Sequence, residues 1–343
     1  MRLRPRGSSL LSKKTVLVLG AGASSEYHLP VGSELAKQIA GLFDADGDVN
    51  SLGFRDDVFR RFVAYSSLGK LGSAQDIRYA TRRIADGLPK SGSIDEFLYI
   101  NSNKPMVVKI GKAAIAYSLL MAEKSAGILP SGDISNLKSN FVAPKTYMHE
   151  LWGLLRRGHS TADFSGVFDN LSVVSFNYDR VFISAMRELL TSTFDAQHDA
   201  ICEIVGKFTI IYPYGSLGEW SPGMQAWRGE KDLFERIDRA TGSILTYYES
   251  QALHRVSECH ACIEDADNIV FLGFGFHDQN NNFIPRGEIS QGKSIYATTR
   301  GLKNTRVLKV RGMLRDKFNA NDAFFHFKPA ACHELVDEIL DWL

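Results

Sequence analysis

Cysteine, net charge and long apolar runs are all scarce in this sequence. Four cysteines in 343 residues (Cys202, Cys259, Cys262 and Cys332) are too few and too scattered for a disulfide framework. They fit a reducing compartment, and a cytoplasmic location is expected. Forty Lys and Arg stand against 39 Asp and Glu, a net charge of +1. That balance argues against a dedicated nucleic-acid binder, which carries a basic domain or stripe. The longest nearly apolar run, residues 113–122, is half of the ~20 residues a membrane helix needs. Disorder is excluded too, because 44% of the residues are hydrophobic and the net charge is low. Internal repeats and low-complexity tracts are missing.

The N-terminus imitates a signal peptide. Arg2, Arg4, Arg6, Lys13 and Lys14 precede Val16-Leu17-Val18-Leu19, and Ala21-Gly22-Ala23 imitates a cleavage site. Four apolar residues are too few for the usual core of about 7–15. Residues 1–14 therefore read as a flexible basic leader.

What is present is an alternation of strand and helix. The β-branched and Leu-rich residues 15–19 read as a buried strand. Leu35, Ile39, Leu42 and Phe43 follow at helical spacing. Further strands are expected at 171–176, 208–212, 268–272, 294–298 and 323–327. Helices are expected at 181–190, within 232–265, at 305–317 and at 332–343. That order predicts an α/β protein with a Rossmann-like parallel sheet and helices on both faces. Between residues 44 and 165 the periodicity is helical (56–66, 76–86 and 106–124), which predicts a mostly helical inserted module. The α/β domain would then comprise residues 15–43 and 166–343.

In open parallel sheets, ligands bind outside the carboxyl ends of the strands. Four of these ends carry unusual residues. Gly20-Ala21-Gly22-Ala23-Ser24 would let the backbone approach a pyrophosphate, or would serve only tight packing. Asn177 and Asp179, two apart after an apolar strand, point the same way and suit either a site or a turn. Tyr212-Pro213-Tyr214-Gly215-Ser216 is the third end. Gly273-Phe274-Gly275-Phe276-His277-Asp278-Gln279-Asn280 is the fourth. The dehydrogenase fingerprint fits poorly, since Ser25 stands at its third glycine and Asp44 and Asp46 lie in a polar loop.

These four segments, in this order, resemble the sirtuin family, and within it the bacterial sirtuin-like NAD hydrolases of antiphage defence. Residues 20–24, continuing through Leu29-Pro30, match the family's Gly-Ala-Gly-x-Ser loop. Asn177 and Asp179 match its Asn-x-Asp motif, and Gly215-Ser216 match the end of its His-Gly-Ser segment. Residues 273–280 match the glycine-rich segment of the defence branch, and Ser93-Ile94-Asp95-Glu96-Phe97-Leu98 matches another of its motifs. The resemblance implies NAD⁺ as substrate, cleaved to nicotinamide and ADP-ribose. Asn177, Asp179 and Tyr214 would be the catalytic residues. Gly20, Ala21, Gly22, Ala23, Ser24, Pro30, Gly215, Ser216, Gly273, Phe274, Gly275 and Asp278 would hold the nucleotide. It further implies gating by a partner defence protein or by homo-oligomerisation, without a membrane and without direct nucleic-acid binding.

Two departures separate the chain from protein deacylases of that family. Cys259 and Cys262 make the only Cys-x-x-Cys pair, so a four-cysteine zinc site is excluded and no metal is expected. Tyr214 stands where the family has its catalytic His. With a free pKa of about 10, a Tyr base would cost about 4 kcal/mol at neutral pH unless its site lowered that value. Releasing nicotinamide from a pyridinium needs no general acid, and a positioned water can capture the ribose cation. Hydrolysis therefore tolerates the substitution better than deacylation does. A non-catalytic NAD- or ADP-ribose-binding subunit remains the alternative. His277 and His149 are possible stand-in bases, or simply structural histidines. His28 suits a lid, and Tyr212, Phe274, Phe276 and Trp220 suit either ring walls or core.

Overall fold

The computed structural model describes residues 11–44, 52–66, 72–128, 143–218, 229–251, 254–287, 293–320 and 322–339. Arg2, Arg4, Arg6, Trp220 and the last four residues lie outside them. Six strands form one all-parallel sheet: β1 (Thr15–Leu19), β2 (Leu171–Ser175), β3 (Ile210–Ile211), β4 (Asn268–Leu272), β5 (Ser294–Thr298) and β6 (Phe325–Lys328). Their order across the sheet is β3-β2-β1-β4-β5-β6. The fold is therefore parallel α/β and Rossmann-like. The winding reverses between β1 and β4, and that is where such sheets open a ligand crevice.

Both faces of the sheet are covered, which is why its central strands are apolar at successive positions rather than alternately. Val16, Val18, Val174, Ile269, Phe271, Ile295 and Ala297 belong to one core with helices Gly32–Gly41, Pro105–Ser125, Glu230–Ser243, Arg255–Asp265 and Asn304–Phe318. Leu17, Leu19, Val173, Val270, Leu272 and Tyr296 belong to the other, with helices Tyr147–Leu155, Val181–Phe194 and Cys332–Ile339. The edge strand β3 is shorter than the expected 208–212. Pro213 has no N–H to extend a ladder, and β3 itself is half-buried.

Between residues 44 and 165 the described chain is helical, apart from two isolated bridges. Helices Asp57–Tyr65, Ala74–Gly87, Ile94–Ile100 and Pro105–Ser125 extend the first core beyond the sheet. Helix Tyr147–Leu155 belongs to the opposite layer and packs on Cys332–Ile339. Pro105–Ser125 is the one described helix long and apolar enough to cross a membrane, and 67% of its most apolar window is buried inside the protein. The described part of the leader is also held. Leu11 is buried, and the Lys14 ammonium lies 2.9 Å from the Asp265 carboxylate.

Candidate functional site

Strand register sets the site. Leu19 is paired with Ser175 on one side and with Leu272 on the other. Gly20, Phe176 and Gly273 therefore leave three adjacent strands at one level. The two glycine turns are pressed together: the Gly22 amide donates to the Gly273 carbonyl at 3.0 Å, and the Gly20 amide to Leu272. A Cβ on Gly20 would lie 2.6 Å from the Gly273 carbonyl oxygen, and one on Gly22 would lie 2.7 Å from the Gly273 Cα. The glycines are thus required by turn-on-turn packing. The Gly22 and Ala23 amides are spent inside the turn, the second on the Gly20 carbonyl. The helix that follows, Ala21–Ser24, has four residues and offers little dipole.

Beneath this turn lies a buried polar chain. Asn177 Nδ2 donates to the Gly20 carbonyl (2.9 Å) and to Ser24 Oγ (2.8 Å). The Ser24 hydroxyl in turn bonds Asp179, whose Oδ1 also accepts the Val181 amide at 3.1 Å. Both Nδ2 hydrogens of Asn177 are therefore engaged, and Oδ1 is left as its acceptor. Asn177 and Asp179 are only 8% and 7% exposed, so the pair is shielded from solvent in this conformation.

Burial pushes the Asp179 carboxyl up to about 6; the Ser24 hydroxyl and Val181 amide pull it down, and the Glu123 carboxylate pushes it up. The sign of the stability effect follows. Below the unfolded value of 3.8 both states are protonated and the folded protein suffers no penalty. As pH rises through the folded value the unfolded chain ionises first, and up to about 3 kcal/mol of stability is lost. Asp179→Asn keeps the acceptor for Val181 without the charge. Urea denaturation at pH 4.5 and 7 should show the wild type losing stability across that interval and the variant losing much less.

Tyr214 occupies a different place. It is buried, its ring packs against Phe176 and Phe283, and its hydroxyl donates to Asn280 Oδ1 at 2.7 Å. Burial pushes its phenol further above the ordinary value, the opposite of what a general base needs. Gly215 and Ser216 lie beyond it against the end of helix Glu230–Ser243, where a Gly215 Cβ would collide with the Ser243 carbonyl. Phe274 and Phe276 join Phe176, Phe271 and Phe283 in an aromatic cluster that is mostly core. Burial pushes the Tyr212 phenol up, and the nearby Asp179 and Glu123 carboxylates push it further the same way.

A cleft of about 480 Å³ opens on the far side of the glycine turns, at the ends of β1, β4, β5 and β6. Its volume lies within the range of small-molecule sites, about 300–1,000 Å³. Gly22, Gly273, Phe274 and Gly275 are among its walls. Gly20, Ala21, Ala23, Ser24, Pro30, Asn177, Asp179, Tyr214, Gly215, Ser216 and Asp278 are not among its walls. Asp278 is instead exposed and 3.6 Å from Arg306. His28, His149 and His277 are exposed, and the His277 ring lies back over Gly275.

Sequence reasoning missed three polar side chains in the cleft wall, Glu26, Arg300 and His333. The Glu26 carboxylate accepts the Tyr147 amide (2.8 Å) and the His333 amide and Nδ1 (2.9 Å each), so it caps two helices at once. Arg300 is exposed just past the end of β5 and supplies positive charge. Its position after a parallel strand was the available signal. Cys259 is buried and its thiol is pushed up to about 12, while Cys262 approaches Ser172 Oγ at 3.4 Å.

Fold and geometry together define the class: a parallel α/β, Rossmann-like protein with a cleft at the strand ends beside its topological switch point. Comparison of the chain with protein-family models, with curated proteins and with solved structures finds no match.

Proposed function

We propose that this protein is a sirtuin-like NAD⁺ hydrolase that yields nicotinamide and ADP-ribose, and that it acts as a gated effector of bacterial antiphage defence. The observation that carries this reading is the convergence of three strand ends. Gly20–Ser24, Asn177-x-Asp179 and Gly273–Gly275 are bonded to one another, and Gly22, Gly273 and Gly275 line a cleft that Arg300 also borders. These are the segments on which the sequence resemblance rests, and their mutual bonding gives each a reason to occur with the others.

The chemistry asks little of the protein. The bond between ribose C1′ and the nicotinamide nitrogen breaks, its electron pair stays on that nitrogen, and a cation-like ribose is captured by water. Asn177 Oδ1, fixed by two donated bonds on the other end of the amide, would hold that water or a ribose hydroxyl. Asp179, once ionised, would stabilise the developing positive charge. Arg300 would take a phosphate of the nucleotide. Shielding of the Asn177–Asp179 pair fits a resting state that must open before cleavage.

Tyr214 takes no part in this scheme. Tyr214→Phe should retain nicotinamide release within a few-fold, while losing about 1–2 kcal/mol because Asn280 loses its donor. High-performance liquid chromatography of NAD⁺ reactions, beside urea denaturation, measures both. Release lost by 100-fold in a folded Tyr214→Phe would give the hydroxyl a chemical role. The second reading, a non-catalytic NAD- or ADP-ribose-binding subunit, is favoured by the Tyr214–Asn280 bond, which leaves no free base at the family's His position. It predicts ligand binding with no nicotinamide release in any assembly state.

A further inference from the structure

The segment that carries Asn177 and Asp179 is gripped from both sides by alternate residues. Asn177 and Asp179 bond toward the glycine turn, through Gly20 and Ser24. Tyr178 and Arg180 bond the other way, into the helical module. Tyr178 donates its hydroxyl to Asp95 Oδ1 at 2.5 Å. Asp95 lies in the first turn of helix Ile94–Ile100. Arg180 donates its backbone amide to Glu123 Oε1 at 2.8 Å, and its guanidinium pairs with Glu123 Oε2 at 2.5 Å. Glu123 lies near the end of helix Pro105–Ser125. The strand ends at Ser175 and the backbone bends at Tyr178 and Asp179 before helix Val181–Phe194, which turns these side chains toward different partners.

The Glu123–Arg180 pair has side-chain exposures of 0% and 4%. A buried pair costs several kcal/mol of desolvation per ion, so it is weak evidence of stabilisation and better evidence that geometry is being held. Pro105–Ser125 also packs on Ala74–Gly87 of the module and on Glu230–Ser243 of the sheet domain, so Glu123 sits on a helix that joins the two.

We infer that Asp95 and Glu123 are positioning residues through which the helical module holds the Asn177–Asp179 segment against the glycine turn. Displacement of the module relative to the sheet, by a partner or by another copy of the chain, would release that segment. The inference rests on reading Asn177 and Asp179 as the reacting end of the nucleotide site, and it names that site's regulation.

The groups that face the Asp179 carboxyl are Ser24 from the glycine turn, the Val181 amide, Glu123 from the module, Tyr147 from helix Tyr147–Leu155 and Tyr212 after β3. Removing the Glu123 charge takes away a neighbouring anion that pushes the Asp179 carboxyl up, which favours ionised Asp179.

The test uses the full chain and needs no turnover. The Asp179 carboxyl is titrated by carbon-13 nuclear magnetic resonance, assigned with Asp179→Asn. Amide hydrogen exchange is followed by mass spectrometry over residues 19–25 and 175–181. Wild type, Glu123→Gln and Asp95→Asn are compared with Lys112→Met, which breaks the Lys112–Glu249 pair on the same module helix. In Glu123→Gln the Asp179 midpoint should fall by about half a unit or more, a threefold change in its protonation equilibrium. Exchange over 19–25 and 175–181 should rise about tenfold in Glu123→Gln and Asp95→Asn, and not in Lys112→Met.

An unmoved Asp179 midpoint, or exchange in 19–25 no faster than in Lys112→Met, overturns the inference. If Glu123→Gln does not fold, Asp95→Asn decides by exchange alone. Absence of nicotinamide release from the wild type would count against the proposed function and leave these readouts intact.

Discussion

Replacing Gly273 by alanine should destabilise the protein by about 3 kcal/mol or more, a large fraction of the 5–15 kcal/mol that holds a typical domain. Two costs combine. Gly273 has φ +57°, in the left-handed region, where an L side chain costs roughly 1–2 kcal/mol. Its added Cβ would also lie 2.1 Å from the Ala23 nitrogen and 2.3 Å from the Gly22 carbonyl carbon. Both are backbone atoms of the facing turn and cannot step aside without pulling β1 and β4 apart. Gly275→Ala is the matched control. The Cβ there would meet only the His277 ring, an exposed side chain free to swing away. Its cost should be within about 1 kcal/mol. Urea denaturation of the two variants separates them, and equal midpoints would mean that the turns do not interlock as described.

Asn177→Ala should lower nicotinamide release at least about 100-fold, the scale expected when a positioning group is lost. The variant removes the Oδ1 acceptor and both donated bonds, leaving the Gly20 carbonyl and Ser24 Oγ without that donor. An unsatisfied buried group costs about 1–3 kcal/mol, so the protein should still fold. Circular dichroism checks the fold, and calorimetry with ADP-ribose checks that the cleft still binds. Loss of release with binding retained places Asn177 at the reacting end. Loss of both would reduce it to a structural bond under the glycine turn.

The strands were the most legible part of the chain. Residues 15–19, 268–272 and 294–298 are strands as their β-branched, apolar runs predict. The third strand shrank to two residues because a proline and a partly exposed edge limit its ladder. The glycines after β1 were legible as a turn, but their partner was not. Gly22 and Gly273 are far apart in sequence, and only the β1–β4 register brings one against the other.

Tyr214 could be aligned with a motif, yet its aromatic surroundings and the bond to Asn280 depend on long-range packing. Glu123 was legible in principle. Ala116, Leu119 and Leu120 precede it at helical spacing on a buried face, so an acid there had to find a partner. Helix Tyr147–Leu155 was assigned with the module because helical periodicity does not say which face of a sheet a helix covers. Its packing on Cys332–Ile339 is decided by the sheet layer it joins.

The proposal to be tested is that this chain cleaves NAD⁺ under a gate, and a test in cells does not require the partner to be known. The most direct measurement is therefore the NAD⁺ and nicotinamide content of bacteria expressing wild type or Asn177→Ala, with and without phage challenge. The account predicts that NAD⁺ falls and nicotinamide rises in the wild type on challenge, while the variant, expressed to the same level, stays at the uninfected value. Unchanged NAD⁺ in challenged wild-type cells, with the purified protein still binding ADP-ribose, would contradict it and leave a binding subunit in place of a hydrolase.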